Sequence, residues 1–303
     1  MKLKRFKSVL LIATIAVLTL GLSACQSETA AYNPKKKLGP QVNYTITGID
    51  AGAGIMASTQ KALTTYPLKS NKWQLQTSST AAMTSTLNKA IKNKQPIVVT
   101  GWQPHWMFTK FPIKFLKDPK NVYGSSEQIH TITKKGLNTR LPGAYKVLQQ
   151  FHWTPSQMSQ VMLKTNAGED PKKAADEWIK KNPKQVAQWE KGAQRGHGQA
   201  MKMTYVAWDS EIASTNVISQ VLDQMGYKVT IQSMEMQPMW ASVATGASDA
   251  TVSAWLPNTA GIYYKQYKSR VQDAGVNLNG AKVGLSVPKY MKNINSINDL
   301  INK

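Results

Sequence analysis

Val99-Thr100-Gly101-Trp102-Gln103-Pro104 returns late in the chain as Ser253-Ala254-Trp255-Leu256-Pro257. In both places an apolar run ends in Trp and a Pro follows two residues on. The likeness extends outward. Before the first string, residues 42–49 alternate as a strand does, a helical pattern runs to about residue 65, 73–77 reads as a second strand and 81–93 as a helix, and 96–100 is the continuous apolar run of a buried parallel strand. Before the second string, 203–207 reads as a strand ending in Trp208-Asp209, a helix runs to about residue 225, 228–232 is a strand, 238–245 a short helix closed by Gly246, and 249–254 a third strand. Behind each Trp the next apolar strand follows at the same spacing, 129–132 in one unit and 283–287 in the other. A repeated β-α-β-α-β unit predicts two α/β lobes, each with a mostly parallel sheet. Ligands of open α/β sheets bind beyond the carboxyl ends of the strands. Trp102, Trp208, Trp255 and the turn Gly52-Ala53-Gly54 all fall just after expected strand ends, so they should face one another across a cleft. The expected lobes are 42–198 and 199–303, with a helical, Lys-rich stretch at 142–192 elaborating the first and the glycine-rich stretch 192–199 connecting them.

The chain has 303 residues, 42% of them apolar, which is enough for a substantial core. Its single cysteine excludes an intrachain disulfide framework and a Cys-based zinc site. Nine Trp against five Phe point to ring surfaces used for binding, because a buried indole also needs a partner for its N–H. Lys2, Lys4, Arg5 and Lys7 precede an apolar run at 9–22 of signal-peptide length. Leu22-Ser23-Ala24-Cys25 follows and resembles the lipobox of bacterial lipoproteins. Residues 1–24 are therefore expected to be a cleaved signal peptide, Cys25 to carry the lipid, and the polar segment 25–41 to be a flexible tether. The formal net charge of +22 becomes +18 without the four basic residues of the signal peptide. Its lysines are spread as pairs such as Lys134-Lys135 and Lys180-Lys181, and Lys35-Lys36-Lys37 lies in the tether, where anionic headgroups are the simpler partner. No nucleic acid partner is expected.

Gly52-Ala53-Gly54-Ile55-Met56-Ala57 fits a dinucleotide-binding turn, but the second strand ends without the acid that would hold a ribose. What survives is a helix N-terminus whose free N–H groups suit a small anion such as a carboxylate. Three Trp at strand ends suit a quaternary ammonium, which offers no strong hydrogen-bond donor and is attracted by roughly 0.5–2 kcal/mol per desolvated ring face. Trp73, Trp153, Trp178, Trp189 and Trp240 read as packing residues, and Trp106 is ambiguous beside Trp102. His105, His130, His152 and His197 lack metal-ligand spacing. Asp50 and Asp209 occupy equivalent places and read as helix N-caps; the alternative is a carboxylate pair in a secreted α/β enzyme. No cofactor is expected.

The strings Gly48-Ile49-Asp50-x-Gly52-x-Gly54-Ile55-Met56, Thr100-Gly101-Trp102-x-Pro104-His105-Trp106-Met107-Phe108, Ile129-His130-Thr131-Ile132, Tyr205-Val206-Ala207-Trp208-Asp209-Ser210-Glu211-Ile212-Ala213 and Ser253-Ala254-Trp255-Leu256-Pro257-Asn258-Thr259 resemble those of the OpuAC-type glycine betaine-binding lipoproteins of osmoprotectant ABC importers. The resemblance covers about residues 42–303. It implies a two-lobed, periplasmic-binding-protein-like (type II) α/β fold with the ligand cleft between the lobes. It implies a non-enzymatic, lipid-anchored protein on the extracytoplasmic face, partnered by an ABC permease. Trp102, Trp208 and Trp255 would cage a trimethylammonium group, and the amides of Gly54 and Ile55 would hold a carboxylate. Glycine betaine is the implied ligand, with proline betaine, carnitine and choline as alternatives. Where the family often has a His after Trp-Leu-Pro-x-Thr, this chain has Ala260.

Overall fold

The computed structural model describes residues 30–303, so the signal-peptide and lipidation readings at 1–24 and Cys25 lie outside the described residues. Among the described residues nine strands form one sheet: β1 (Thr45–Thr47), β2 (Gln74–Gln76), β3 (Val99–Gln103), β4 (Ile113–Phe115), β5 (Glu127–Lys134), β6 (Ala200–Tyr205), β7 (Lys228–Ser233), β8 (Ala250–Leu256) and β9 (Val271–Pro288). Their order is β2-β1-β3-β9-β5-β8-β6-β7, with β4 also paired to β9. The order is palindromic under the repeat: β2 answers to β7, β1 to β6, β3 to β8, and β9 to β5. The outer three strands of each half are parallel, as expected of the repeated unit.

The two central strands were not foreseen in this arrangement. The strand after each Trp does not return to its own unit but pairs with the Trp strand of the other. Ile129 lies opposite Trp255 on β8, and Val283 lies opposite Trp102 on β3, both in antiparallel ladders. β9 is long enough to serve both halves: 271–281 pair with β5, and 282–288 with β3 and β4. The two α/β lobes are thus joined through exchanged strands, and neither sheet half is contiguous in sequence.

The longer helices are α1 (Gly54–Thr65), α2 (Thr80–Lys92), α3 (Pro142–Gln150), α4 (Pro155–Asn166), α5 (Pro171–Lys181), α6 (Pro183–Glu190), α7 (Asp209–Gln224), α8 (Met236–Thr245) and α9 (Gly261–Tyr267). Their starts are written locally. Ser79 accepts from the Ala82 N–H, Thr154 and Gln157 form a reciprocal capping box, and Asp170 accepts from the Lys173 N–H. Proline opens each of α3 to α6, where its missing N–H costs nothing. Helix α7 is buried on nearly every side, because β6, β7 and β8 cover one flank and α4 and α5 the other. The helical stretch expected to elaborate the first lobe therefore packs on the second unit. The physical reason is that α7 is buried all round: Ala213, Val217, Ile218, Val221 and Leu222 form an apolar side, and Thr215, Asn216, Ser219 and Gln220 are buried as well, so the sheet alone does not cover it.

The aromatic residues read as packing do pack. Trp178 and Trp189 stack at 5.7 Å with rings 9° apart, while Phe151 meets Trp189 edge-on at 4.9 Å and Trp153 meets Trp178 edge-on at 5.7 Å. Within the described residues the expected tether is docked. Tyr32 donates its N–H to Lys94 O, Leu38 is fully buried, and the Leu38 N–H reaches Lys303 O at 2.8 Å, so the segment is docked from Tyr32 onward.

Candidate functional site

Helix α1 starts at Gly54 after a turn that leaves β1, and its N-cap, Ala53, has no capping side chain. The N–H groups of Gly54 and Ile55 occupy the first two helical positions, where no intrahelical acceptor exists and the positive end of the helix dipole lies. Gly54 is there because of a close approach, not an unusual backbone angle. A Cβ at this position would lie 1.9 Å from Thr259 O, in the loop after β8. The two repeat units touch backbone to backbone at this point.

Trp102 and Trp255 are the second-to-last residues of β3 and β8, inside the strands, and each is followed two residues on by a cis proline, Pro104 or Pro257. Only Trp208 sits after its strand as expected, as the residue preceding α7. The rings are fixed from behind. Trp102 meets the His105 ring at 4.5 Å. The Trp208 Nε1–H donates to Asp50 Oδ2 at 3.1 Å, and the Trp255 Nε1–H donates to Glu211 Oε1 at 2.7 Å.

Asp50 and Asp209 are not the N-caps that their positions suggested. Asp209 is the first residue of α7, and its Oδ2 accepts from Trp106 Nε1 at 2.6 Å and His105 Nε2 at 3.0 Å. Asp50 of the first unit thus accepts an indole N–H from the second, and Asp209 of the second accepts one from the first. The Met107 N–H donates to His105 Nδ1 at 3.2 Å, which puts the ring proton on Nε2. Burial pushes the His105 basicity below the ordinary histidine value, so the ring is neutral. Burial alone would raise the Asp209 carboxyl, but the donors His105 and Trp106 outweigh it and hold Asp209 below the usual range. Trp106, ambiguous in sequence, is therefore part of this contact between the units.

Glu127, at the start of β5, fixes the loop after Trp255. Its Oε1 accepts the N–H groups of Asn258 at 2.9 Å and Thr259 at 2.7 Å, and its Oε2 accepts the Thr259 hydroxyl.

Gly54, Ile55, Trp102, Trp208 and Trp255 all line one cavity. The three rings are 5%, 8% and 3% exposed, so a ligand there would be removed from water. Ser210, Glu211 and Thr259 also line it, their side-chain oxygens bonded to neighbouring groups, and Ile49, Ala53 and Val283 complete it. Neither Asp50 nor Asp209 lines the cavity. Ala260 is fully buried with its N–H on Trp255 O at 2.8 Å. Sequence reasoning quoted Glu211 within a longer string without giving it a role, and it missed Glu127 altogether. A buried acid at a strand start carries no local signature.

A protein-family model described as the substrate binding domain of the ABC-type glycine betaine transport system, OpuAC, matches residues 27–181 and 199–303. The chain is 63% identical over 294 residues to the glycine betaine/carnitine transport binding protein GbuC of Listeria monocytogenes serotype 1/2a (strain 10403S), covering 97% of this chain and 98% of that protein. Lactococcal OpuAC, solved closed and complexed with glycine betaine, aligns at 46% identity and a TM-score of 0.49 over 55% of this chain and 64% of that one. The glycine betaine/L-proline-binding protein ProX of Borrelia burgdorferi aligns at 33% identity and a TM-score of 0.48 over 54% of this chain and 62% of that one. Both alignments span less than two thirds of the solved chain. With matches that together run through both repeat units, the chain belongs to the OpuAC family of substrate-binding domains of ABC-type glycine betaine transport systems.

Proposed function

We propose that this protein captures glycine betaine or a related trimethylammonium carboxylate outside the cytoplasm and delivers it to an ABC permease. The observation that carries this reading is the convergence of three indole rings and the first turn of α1 on one cavity. A trimethylammonium group fits ring faces, at roughly 0.5–2 kcal/mol each when desolvated. A carboxylate fits the helix N-terminus. Carnitine, named for the Listeria relative, carries the same two groups on a longer stem.

Trp208→Ala should weaken glycine betaine binding by about 1–3 kcal/mol, a loss of roughly fivefold to 150-fold, and Trp208→Phe by less. Calorimetric titration checks this, and unchanged affinity in the alanine variant would remove Trp208 from the site. We also assign the lipid anchor to Cys25 on the strength of Leu22-Ser23-Ala24-Cys25. Cys25→Ala should move the protein out of the membrane fraction of cells; a variant that sediments with membranes like wild type contradicts the anchor.

We place the lobe boundary across β5 and β9 rather than at residue 198. The first lobe is then β1 to β4 with the last third of β9, and the second is β5 to β8 with the rest of it. The ladders made by β9 support this division.

A further inference from the structure

Glu211 stands on the cavity wall and is 1% exposed. Its Oε1 accepts the Trp255 indole N–H, and its Oε2 accepts the Ser210 hydroxyl. Among the described residues no Lys, Arg or His forms an ion pair with it. The charged group acting on it is Asp209, of the same sign, and behind Asp209 stands the neutral His105; Asp50 is bonded to the Trp208 indole. A buried carboxylate without a cation is costly to ionise. Two hydrogen bonds to its oxygens favour the anion, as does its place in the first turn of α7. What is missing is a positive charge, and the cavity it lines is walled by the three rings that suit one.

We propose that Glu211 is the counter-charge of the cage, supplying the selectivity for a permanent cation over a neutral group of the same shape and orienting the ligand with its cation toward α7 and its anion toward α1. The proposal deepens the function given above and rests on it. Glu211 also acts on Trp255 directly, since the carboxylate draws on the indole N–H and makes the ring face more negative.

A consequence follows for pH. In the ligand-free protein burial pushes the Glu211 carboxyl up to about 7, against 4.5 for the ordinary group. The folded state then holds a proton that the unfolded chain has released, so ligand-free stability falls as pH rises from about 4.5 to about 7. A bound cation reverses the balance by favouring the anion. Affinity for the cation should rise as pH rises through this range, with release of a proton on binding.

The test uses two probes of one shape, glycine betaine and 3,3-dimethylbutanoate, in which a quaternary carbon replaces the ammonium nitrogen. Glu211→Gln keeps an acceptor for the Trp255 N–H and a partner for Ser210 while removing the charge. Titrations at about pH 8 should show wild type preferring glycine betaine strongly, and Glu211→Gln losing about tenfold of that preference through weaker betaine binding, with the butanoate unaffected or tighter. In wild type alone, going from about pH 8 to about pH 6 should weaken betaine binding by up to about tenfold and leave the butanoate unchanged. The second measurement needs no variant and stands even if Glu211→Gln folds poorly. If Glu211→Gln weakens both probes equally, or if the wild-type preference is flat with pH, the carboxylate only fastens Trp255 and the proposal is overturned. If wild type binds neither probe, the proposed function fails with it.

Discussion

Gly54→Ala is expected to lower affinity for glycine betaine by about 100-fold, or about 2.7 kcal/mol, without lowering the melting temperature. The added Cβ would lie 1.9 Å from Thr259 O, less than any such contact tolerates. Thr259 has little room to retreat, because Glu127 holds both its N–H and its hydroxyl. The two lobes would therefore close with a gap. A gap of only ~0.5–1 Å forfeits a quarter to a half of each dispersion contact. Here it would separate the Gly54 and Ile55 amides from Trp208 and Trp255, so that a ligand of fixed length reaches one end of the site or the other. Folding does not suffer in the same way. The position lies at the start of α1, where Ala is up to about 1 kcal/mol better than Gly. Gly52→Ala is the control, because a Cβ there meets nothing within 4 Å and affinity should be unchanged. Calorimetry and thermal melting of the two variants decide the matter. Wild-type affinity in Gly54→Ala would mean that the close approach of the lobes is not needed for binding.

Trp189→Ala should do the reverse, costing about 3–5 kcal/mol of stability and leaving affinity alone. Trp189 is 0% exposed, stacks on Trp178, receives the edge of Phe151 and donates its Nε1–H to His152 O at 3.1 Å. Removing it empties the centre of the α3–α6 helical layer, while the His152 carbonyl keeps the Gln185 side chain as a donor. For a domain of this size the expected fall in melting temperature is roughly 10 °C. The ring is not among the residues lining the cavity, so glycine betaine titration below the transition should match wild type. An unchanged melting curve would contradict the packing account.

These two variants also mark what the sequence disclosed. The repeated Trp-x-Pro strings, the periodicities and the glycine turn were enough to place most of the strands and to single out the three Trp and the start of α1, while the family resemblance named Gly54 and Ile55; all five residues line one cavity. The exchange of β5 and β9 was not legible, because equal spacing behind Trp102 and Trp255 is the same whether the next strand pairs at home or across. The packing partner of α4 and α5 was hidden for a related reason. An amphipathic pattern says that a face is buried, not against what. Asp50 and Asp209 were misread because an acid beside a helix start has the same local appearance whether it caps the helix or accepts from an indole in the other lobe. Glu211 was passed over because acids in a first helical turn are common and usually solvated. Its significance comes from burial beside Trp255, which only the fold supplies.

The exchanged strands also set a timetable. Val99 to Gln103 find their inner partners at Ser286 to Lys282, far along the chain from them. Closing so long a loop carries an entropy cost that only native contacts repay, which makes such pairings slow. An emerging amino-terminal half has no partner for the inner edge of β3 and cannot complete its sheet. The sheet is thus completed only once residues 282–286 are available to β3.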